Sequence, residues 1–207
     1  MTQQQTSEII NQARNGSRAA QHAIFVEYKP LVLRIVYRVL GPWPKPDIED
    51  TIQQVYIELF RSLNSFKGES SFETWIYRIG TAVCLQKIRS KYRKKKQMQQ
   101  TMEPQYIQEL PDVHAQTDLR IERKELLDLL YSALDKISQQ RRLVFVLFEI
   151  EGKTIEDISQ VLQIPAATVK TRLFRARQDL SKKFDRNHLV PAPAITRGMA
   201  VESGSYG

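Results

Sequence analysis

Cysteine occurs once in the 207 residues, as Cys84, and histidine three times, as His22, His114 and His188. A single thiol excludes an intrachain disulfide, and the scattered histidines give no metal-ligand spacing. Cys84 lies in an apolar run and reads as a buried, inert thiol. Glycine is scarce, at eight residues, and alternating apolar and polar segments are absent, which removes the usual marks of a β-sheet. No glycine-rich phosphate loop and no nucleophile paired with a histidine is found, so no catalytic residue is assigned. The densest apolar run, residues 143–148, has six residues, against about 20 for a spanning helix. Residues 1–8 are polar and hold no apolar segment of signal-peptide type. The expectation is a cytoplasmic protein with no membrane insertion, no metal and no cofactor.

What is present in excess is positive charge. Lysine and arginine number 31 against 23 acidic residues, giving a net charge of +8 and a pI near 9.6. Such a balance favours an anionic partner, nucleic acid ahead of an acidic membrane surface. Hydrophobic residues make up 42%, enough for a core.

The apolar periodicity is helical nearly throughout. It predicts helices over residues 7–15, ended by Gly16, and from a Ser17 cap to about Leu40. Three prolines in "GPWPKP" then forbid regular structure. Asp47 is placed to cap the next helix, whose inward stripe is Ile48, Ile52, Val55, Leu59 and Leu63. Ser70 with Glu73 reads as a capping box that opens a helix over about residues 71–95, with Phe72, Ile76, Ile79 and Val83 inward. Residues 97–117 carry no Lys or Arg but do carry Glu103, Glu109 and Asp112 beside two prolines, a linker that reaches about 75 Å at full stretch. Helices resume at about 119–135, 138–150, 155–162 and 168–184. The fold class is all-α: two small helical domains, residues 1–96 and 119–184, joined by a flexible linker at 97–118 and followed by a flexible tail at 185–207.

The last helix, within "IPAATVKTRLFRARQDL", shows why a partner is expected. Val169, Leu173, Ala176 and Leu180 step by four, three and four, one helical face. Lys170, Arg172, Arg175 and Arg177 fall outside that apolar set. The preceding short helix opens at Thr154 with Asp157 three residues on, and ends before Gln163-Ile164-Pro165. The small Ser159 between its apolar positions lets two helices approach. Together they form a helix-turn-helix, whose second helix enters a major groove N-terminal end first. Ala167, Thr168, Lys170, Thr171 and Arg172 hold the base-edge positions, and Arg175 and Arg177 the phosphate positions. A helical hairpin with a solvated basic face is the alternative.

A second basic cluster is "KIRSKYRKKK", residues 87–96, with seven basic residues in ten. Beside it stand Phe66, Phe72, Trp75, Tyr77 and Tyr92. Basic residues track a backbone and aromatic rings stack on unpaired bases, which suggests single-stranded contact. Trp75 and Phe72 serve equally well as core.

Three stretches, in order, resemble bacterial sigma factors of the extracytoplasmic-function group of the sigma-70 family. "DIEDTIQQVYIELFRSLNSF" resembles the helix that grips the clamp helices of core RNA polymerase. "FETWIYRIGTAVCLQKIRSKYRKK" resembles the helix that recognises and opens the downstream promoter element. "TIEDISQVLQIPAATVKTRLFRARQDL" resembles the module that reads the upstream element. With flanking helices the resemblance covers roughly residues 8–184. It implies a non-catalytic initiation factor that binds core polymerase, directs it to specific promoters and assists melting. It assigns Asp47, Glu49, Asp50, Gln53 and Gln54 to polymerase. Asn64, Phe66, Lys67 and Ser71 would surround a flipped promoter base, an extrusion costing a few kcal/mol. Lys87, Arg89 and Arg93 would hold backbone at the downstream element. Thr154, Thr168, Lys170, Thr171, Arg172 and Arg175 would meet the upstream element. An anti-sigma protein is the further partner implied. Where the family often has Arg, Asn and Asp in the melting helix, this chain has Thr81, Ala82 and Gln86, so contacts of that Asn are not carried over. Gln54 replaces a common Glu, and Gln163 or Ala167 stands where the turn often has Gly. The competing reading is a helix-turn-helix regulator that acts without polymerase; such a protein has no need of the polar face at Asp47–Gln54.

Overall fold

The computed structural model describes residues 3–101 and 119–185. Residues 102–118 of the expected linker and 186–207 of the expected tail lie outside the described residues. The described residues form eight helices: α1 Gln3–Arg14, α2 Arg18–Leu40, α3 Lys45–Ser62, α4 Phe72–Thr101, α5 Leu119–Leu134, α6 Gln139–Phe145, α7 Ile155–Leu162 and α8 Ala166–Asp185. A 3-10 turn, Leu63–Ser65, follows α3, and a π-helical turn, Val146–Ile150, extends α6. No strand occurs among the described residues.

Local chemistry accounts for most boundaries. Gly16 turns the chain at φ 85°, and Ser17 then caps α2, its hydroxyl accepting from the Ala20 N–H. The α3 start corrects the sequence expectation. The helix begins at Lys45 after Pro44, with no side-chain cap, and Asp47 sits inside the first turn. Pro46 is tolerated there because a first-turn N–H has no helical partner to lose. The start of α4 shifts by one residue: Ser71, not Ser70, is the cap, accepting at 3.1 Å from the Thr74 N–H. Helix α4 runs to Thr101, past the expected end near 95 and into the residues read as linker.

The first domain is built around α2, which packs on α1, α3 and α4. Ile24, Val32, Ile35 and Val36 meet Ile48, Val55, Leu59, Ile76 and Ile88 in its core. Gly80 in α4 permits this approach: a Cβ there would lie 2.9 Å from Ile35 Cγ2. In the second domain α8 packs on α6 and α7, with Val169, Leu173, Ala176 and Leu180 all buried as their spacing predicts. Cys84 is fully buried, and burial pushes its thiol pKa up to about 12.

The two domains are joined by a polar seam that no sequence pattern announced. A helix leaves its last four carbonyls without helical partners. At the end of α2, the Tyr37 carbonyl accepts from Gly41 N–H, and the Arg38 carbonyl accepts from the Tyr131 hydroxyl of α5 at 2.6 Å. The Val39 and Leu40 carbonyls both accept from Arg142 Nη2 of α6, at 3.0 Å each. Arg142 is 2% exposed, its Nη1 pairs with Asp135, and its Nε has no hydrogen-bond partner. The second domain thus completes the C-terminus of α2 with a cation, the charge that a helix dipole favours there. Gly41 lies against the Tyr131 ring, and any side chain at that position would enter it.

Candidate nucleic-acid and protein-binding surfaces

On α3, Glu49 and Gln53 recur every four residues and lie exposed, with Ile57 next in the series and 58% exposed. Glu49 pairs at 3.6 Å with Lys45, on its own helix. Ile57 falls outside the inward stripe Ile48, Val55 and Leu59, and sequence reasoning passed over it; an apolar residue off the core period was the available signal. Asp47 and Asp50 turn toward α4 instead. Lys87 reaches both, at 3.2 Å and 2.6 Å, and the Asp50 hydrogen bond is the main cause raising its pKa. The expected polymerase contacts Asp47 and Asp50 and the expected DNA contact Lys87 therefore engage one another. Gln54 is exposed beside the groove between α3 and α4.

The loop at residues 64–71 exposes Asn64, Lys67 and Ser71, while Phe66 is half-buried. Phe66 packs edge-on to Phe72 at 5.2 Å and on Trp75 at 5.3 Å. Phe72 and Trp75 are themselves 5% and 8% exposed, and Tyr77 is 2% exposed. Of the two roles open to Phe72 and Trp75, the core role holds, and Tyr77 is core as well, so none of the three rings is a stacking platform. Arg14 of α1 anchors the loop, its Nε donating to Leu63 O at 3.2 Å and its Nη2 to Phe66 O. That anchor, some fifty residues upstream, was invisible to local pattern reading.

Along α4 the basic residues divide between faces. Lys87 and Lys91 turn toward α3 and Trp43, with Lys91 Nζ 3.9 Å from the Trp43 ring centroid. Arg89 and Arg93 line the cleft toward α6, where Arg89 Nε donates to Gln139 Oε1 at 3.2 Å. Sixteen residues of helix also separate Ser71 from Lys87, about 24 Å. The structure does not gather the loop set and the α4 set into one patch. Thr81 is buried, its hydroxyl bonded to the Tyr77 and Arg78 carbonyls.

The helix-turn-helix is built as its sequence implies. The Thr154 hydroxyl accepts from Asp157 N–H at 3.0 Å and the Asp157 carboxylate accepts from Thr154 N–H at 3.1 Å, a reciprocal cap. Gln163 ends α7 at φ 52°, the one non-glycine residue at positive φ among the described residues. Ser159 clamps the turn, donating from Oγ to Ile164 O at 2.6 Å. On α8, Lys170, Thr171 and Arg175 are exposed, and Thr168 and Arg172 half-buried. Lys170, Arg172 and Arg175 have no carboxylate partner among the described residues. Arg177 differs: it pairs with Glu149 at 2.5 Å and lies over the Phe148 ring, so its role is internal. Phe174, 62% exposed, shares the outer face of α8 and was not singled out from the sequence.

Comparison with known proteins decides what these surfaces belong to. Residues 24–94 match the family Sigma-70 region 2, and residues 127–180 match the family Sigma-70, region 4. The chain belongs to the sigma-70 family. It is similar to the RNA polymerase sigma-H factor of Pseudomonas aeruginosa, with 26% identity over 88% of this chain and 95% of that one. It is equally similar to the ECF RNA polymerase sigma-E factor of Escherichia coli K12, at 26% over 88% and 96%. In fold, this sigma factor resembles CnrH, solved in complex with the cytosolic domain of CnrY, with a TM-score of 0.57, 24% identity, and coverage of 86% of this chain and 96% of that one. Bartonella quintana RpoE, solved with the anti-sigma factor NepR, gives a TM-score of 0.50 at 19% identity over 79% and 96%.

Proposed function

We propose that this sigma factor grips core polymerase with the outer face of α3 and reads an upstream promoter element with the N-terminal half of α8. The sigma factor is a transcription initiation factor that binds core RNA polymerase, and polymerase supplies the chemistry. Glu49, Gln53 and Ile57 form the centre of the gripping face, with Gln54 at its edge and Asp47 and Asp50 beside it. Thr168, Lys170, Thr171, Arg172 and Arg175 form the reading face, and Thr154 fixes the end of α7 beneath it. Asn64, Lys67 and Ser71, on the loop held by Arg14, meet unpaired promoter bases, and Arg89 and Arg93 meet backbone.

The observation that carries this reading is the pairing, in one chain, of region 2 and region 4 sequences with a polar α3 face and an unpaired basic α8 face. Residues 1–96 act as the polymerase and downstream-element domain, and 119–184 as the upstream-element domain. The protein works in the cytoplasm with its polymerase; no described helix is long and apolar enough to cross a membrane. Similarity to CnrH and RpoE, each solved with a partner, supports an anti-sigma protein as a second partner here.

The test is co-purification with core polymerase at moderate salt. The parent chain is expected to bind and Ile57→Asp to bind at least roughly tenfold more weakly. Equal binding by both removes α3 as the gripping face.

A further inference from the structure

Long-range polar contacts are not confined to the seam, where Arg142 caps α2 and the Tyr77 hydroxyl donates to Glu151 Oε2 at 2.8 Å. Inside the first domain, half-buried Arg14 at the end of α1 reaches residues 49 and 52 positions away. Its Nε donates to Leu63 O at 3.2 Å, its Nη2 to Phe66 O, and its Nη1 to Asn11 Oδ1 at 3.1 Å. The whole fork of the guanidinium is thus engaged, with two of its arms on loop backbone. A cation at the end of α3 suits the helix dipole, and the Leu63 carbonyl alone would satisfy it. The second bond goes further, past the 3-10 turn to Phe66. There the backbone is held by Arg14 and the ring by Phe72 and Trp75, at 5.2 and 5.3 Å. At the other end Ser71 is fixed by its cap on Thr74. Between these two ends Lys67, Gly68 and Glu69 are exposed, and Gly68 sits at φ 76° with open space where a Cβ would stand. The bonds within the 3-10 turn, from Ser62 Oγ to Glu58 O at 2.6 Å and from Ser65 Oγ to Ser62 O at 2.7 Å, are local and do not tie it to another helix.

We propose, resting on the sigma-factor reading, that Arg14 is a positioning residue for base recognition. By holding the Leu63 and Phe66 carbonyls it sets the pose in which Asn64 and Lys67 meet the extruded promoter base, and so sets which base is accepted. Arg14 acts through the loop and touches no DNA. Extrusion costs a few kcal/mol, which contacts to the flipped base must offset. Those contacts select one base only if the groups that make them are held in place before it arrives, since a loose loop adapts to a wrong base as readily as to the right one. Freeing Phe66 O and Leu63 O therefore blunts selectivity more than it weakens binding. Lysine cannot stand in for Arg14, because one ammonium on a flexible stem lacks the planar pair of donors that spans the two carbonyls.

The test uses the full chain assembled with core polymerase and a pool of fork-junction DNA whose single-stranded non-template segment is randomised; bound molecules are sequenced. The parent is expected to enrich one base at a single-stranded position. Arg14→Ala and Arg14→Lys are both expected to cut that enrichment by roughly tenfold, while binding of the whole pool changes by no more than about twofold. Preferences at the other positions should stay. Asn11→Ala leaves both carbonyl bonds in place and should select as the parent does. In the free chain, trypsin should cut after Lys67 faster in both Arg14 variants than in the parent, with the helical signal retained; if Arg14→Ala loses that signal, Arg14→Lys carries the test. Selectivity unchanged in the Arg14 variants overturns the proposal, as does an equal loss at every position, parental selectivity in Arg14→Lys, or a polymerase-bound parent with no base preference. A parent chain that never binds polymerase overturns the sigma-factor reading instead, and faster cutting at Lys67 in the variants then still establishes Arg14 as the pin of this loop.

Discussion

Arg142 in α6 and Leu40 at the end of α2 stand 102 residues apart in sequence and are joined by a 3.0 Å hydrogen bond from guanidinium to carbonyl. The same nitrogen serves Val39, so one side chain terminates a helix of the other domain. Arg142→Ala is expected to lower the stability of the full chain by about 2 to 4 kcal/mol in urea unfolding, because it leaves buried carbonyls unpaired and opens a gap. Arg142→Lys should recover little, since a single ammonium cannot reproduce the planar fork that reaches Asp135 and α2 together.

The turn of the helix-turn-helix carries strain at Gln163, whose φ is 52°. Gln163→Gly is expected to raise the midpoint of thermal unfolding, corresponding to roughly 0.5 to 1 kcal/mol, by releasing a left-handed conformation that costs side-chain-bearing residues about that much. Gln163→Val should lower it.

How far the sequence disclosed this architecture depends on the range of the interaction. The α8 core face and the Thr154 cap were legible because their partners lie within a few residues. Helix α3 starts three residues before the position that an Asp47 cap implies, because Pro46 fits a first turn instead of breaking the helix. The sequence does not separate stacking from core for Phe72 and Trp75, because a ring looks alike in both settings until its neighbours are known. The Arg142 and Glu151 seam was not legible at all: it joins residues 74 to 103 positions apart, and no periodicity records that.

Alkaline pH should weaken the fold. Burial pushes the Cys84 thiol up to about 12, and the Tyr56 and Tyr77 hydroxyls, with Glu151 adding to the Tyr77 shift, also to about 12. In the unfolded chain a thiol titrates near pH 8.5 and a tyrosine near 10. The folded state thus holds these protons more tightly, and its advantage is full below those values and lost as pH rises from about 9 toward 12. Urea midpoints measured from pH 7 to 11 should be level at first and fall above about pH 9. At pH 8 a thiol reagent should modify Cys84 only at the rate of unfolding.

Base reading by α8 separates from charge attraction by experiment. Arg172→Ala in the holoenzyme is expected to cost about 1 to 3 kcal/mol on a cognate upstream element and much less on unrelated duplex. Arg175→Ala should weaken both alike and reduce the salt slope by about one ion. Fluorescence anisotropy over a salt series distinguishes the two.

The most direct test of the whole reading is reconstituted transcription. Purified core polymerase is given the full chain and a library of genomic fragments, and transcript starts are mapped. The account predicts starts at new positions that share two separated sequence elements and vanish with Ile57→Asp in the chain. A polymerase whose starts are the same with and without the chain would contradict it.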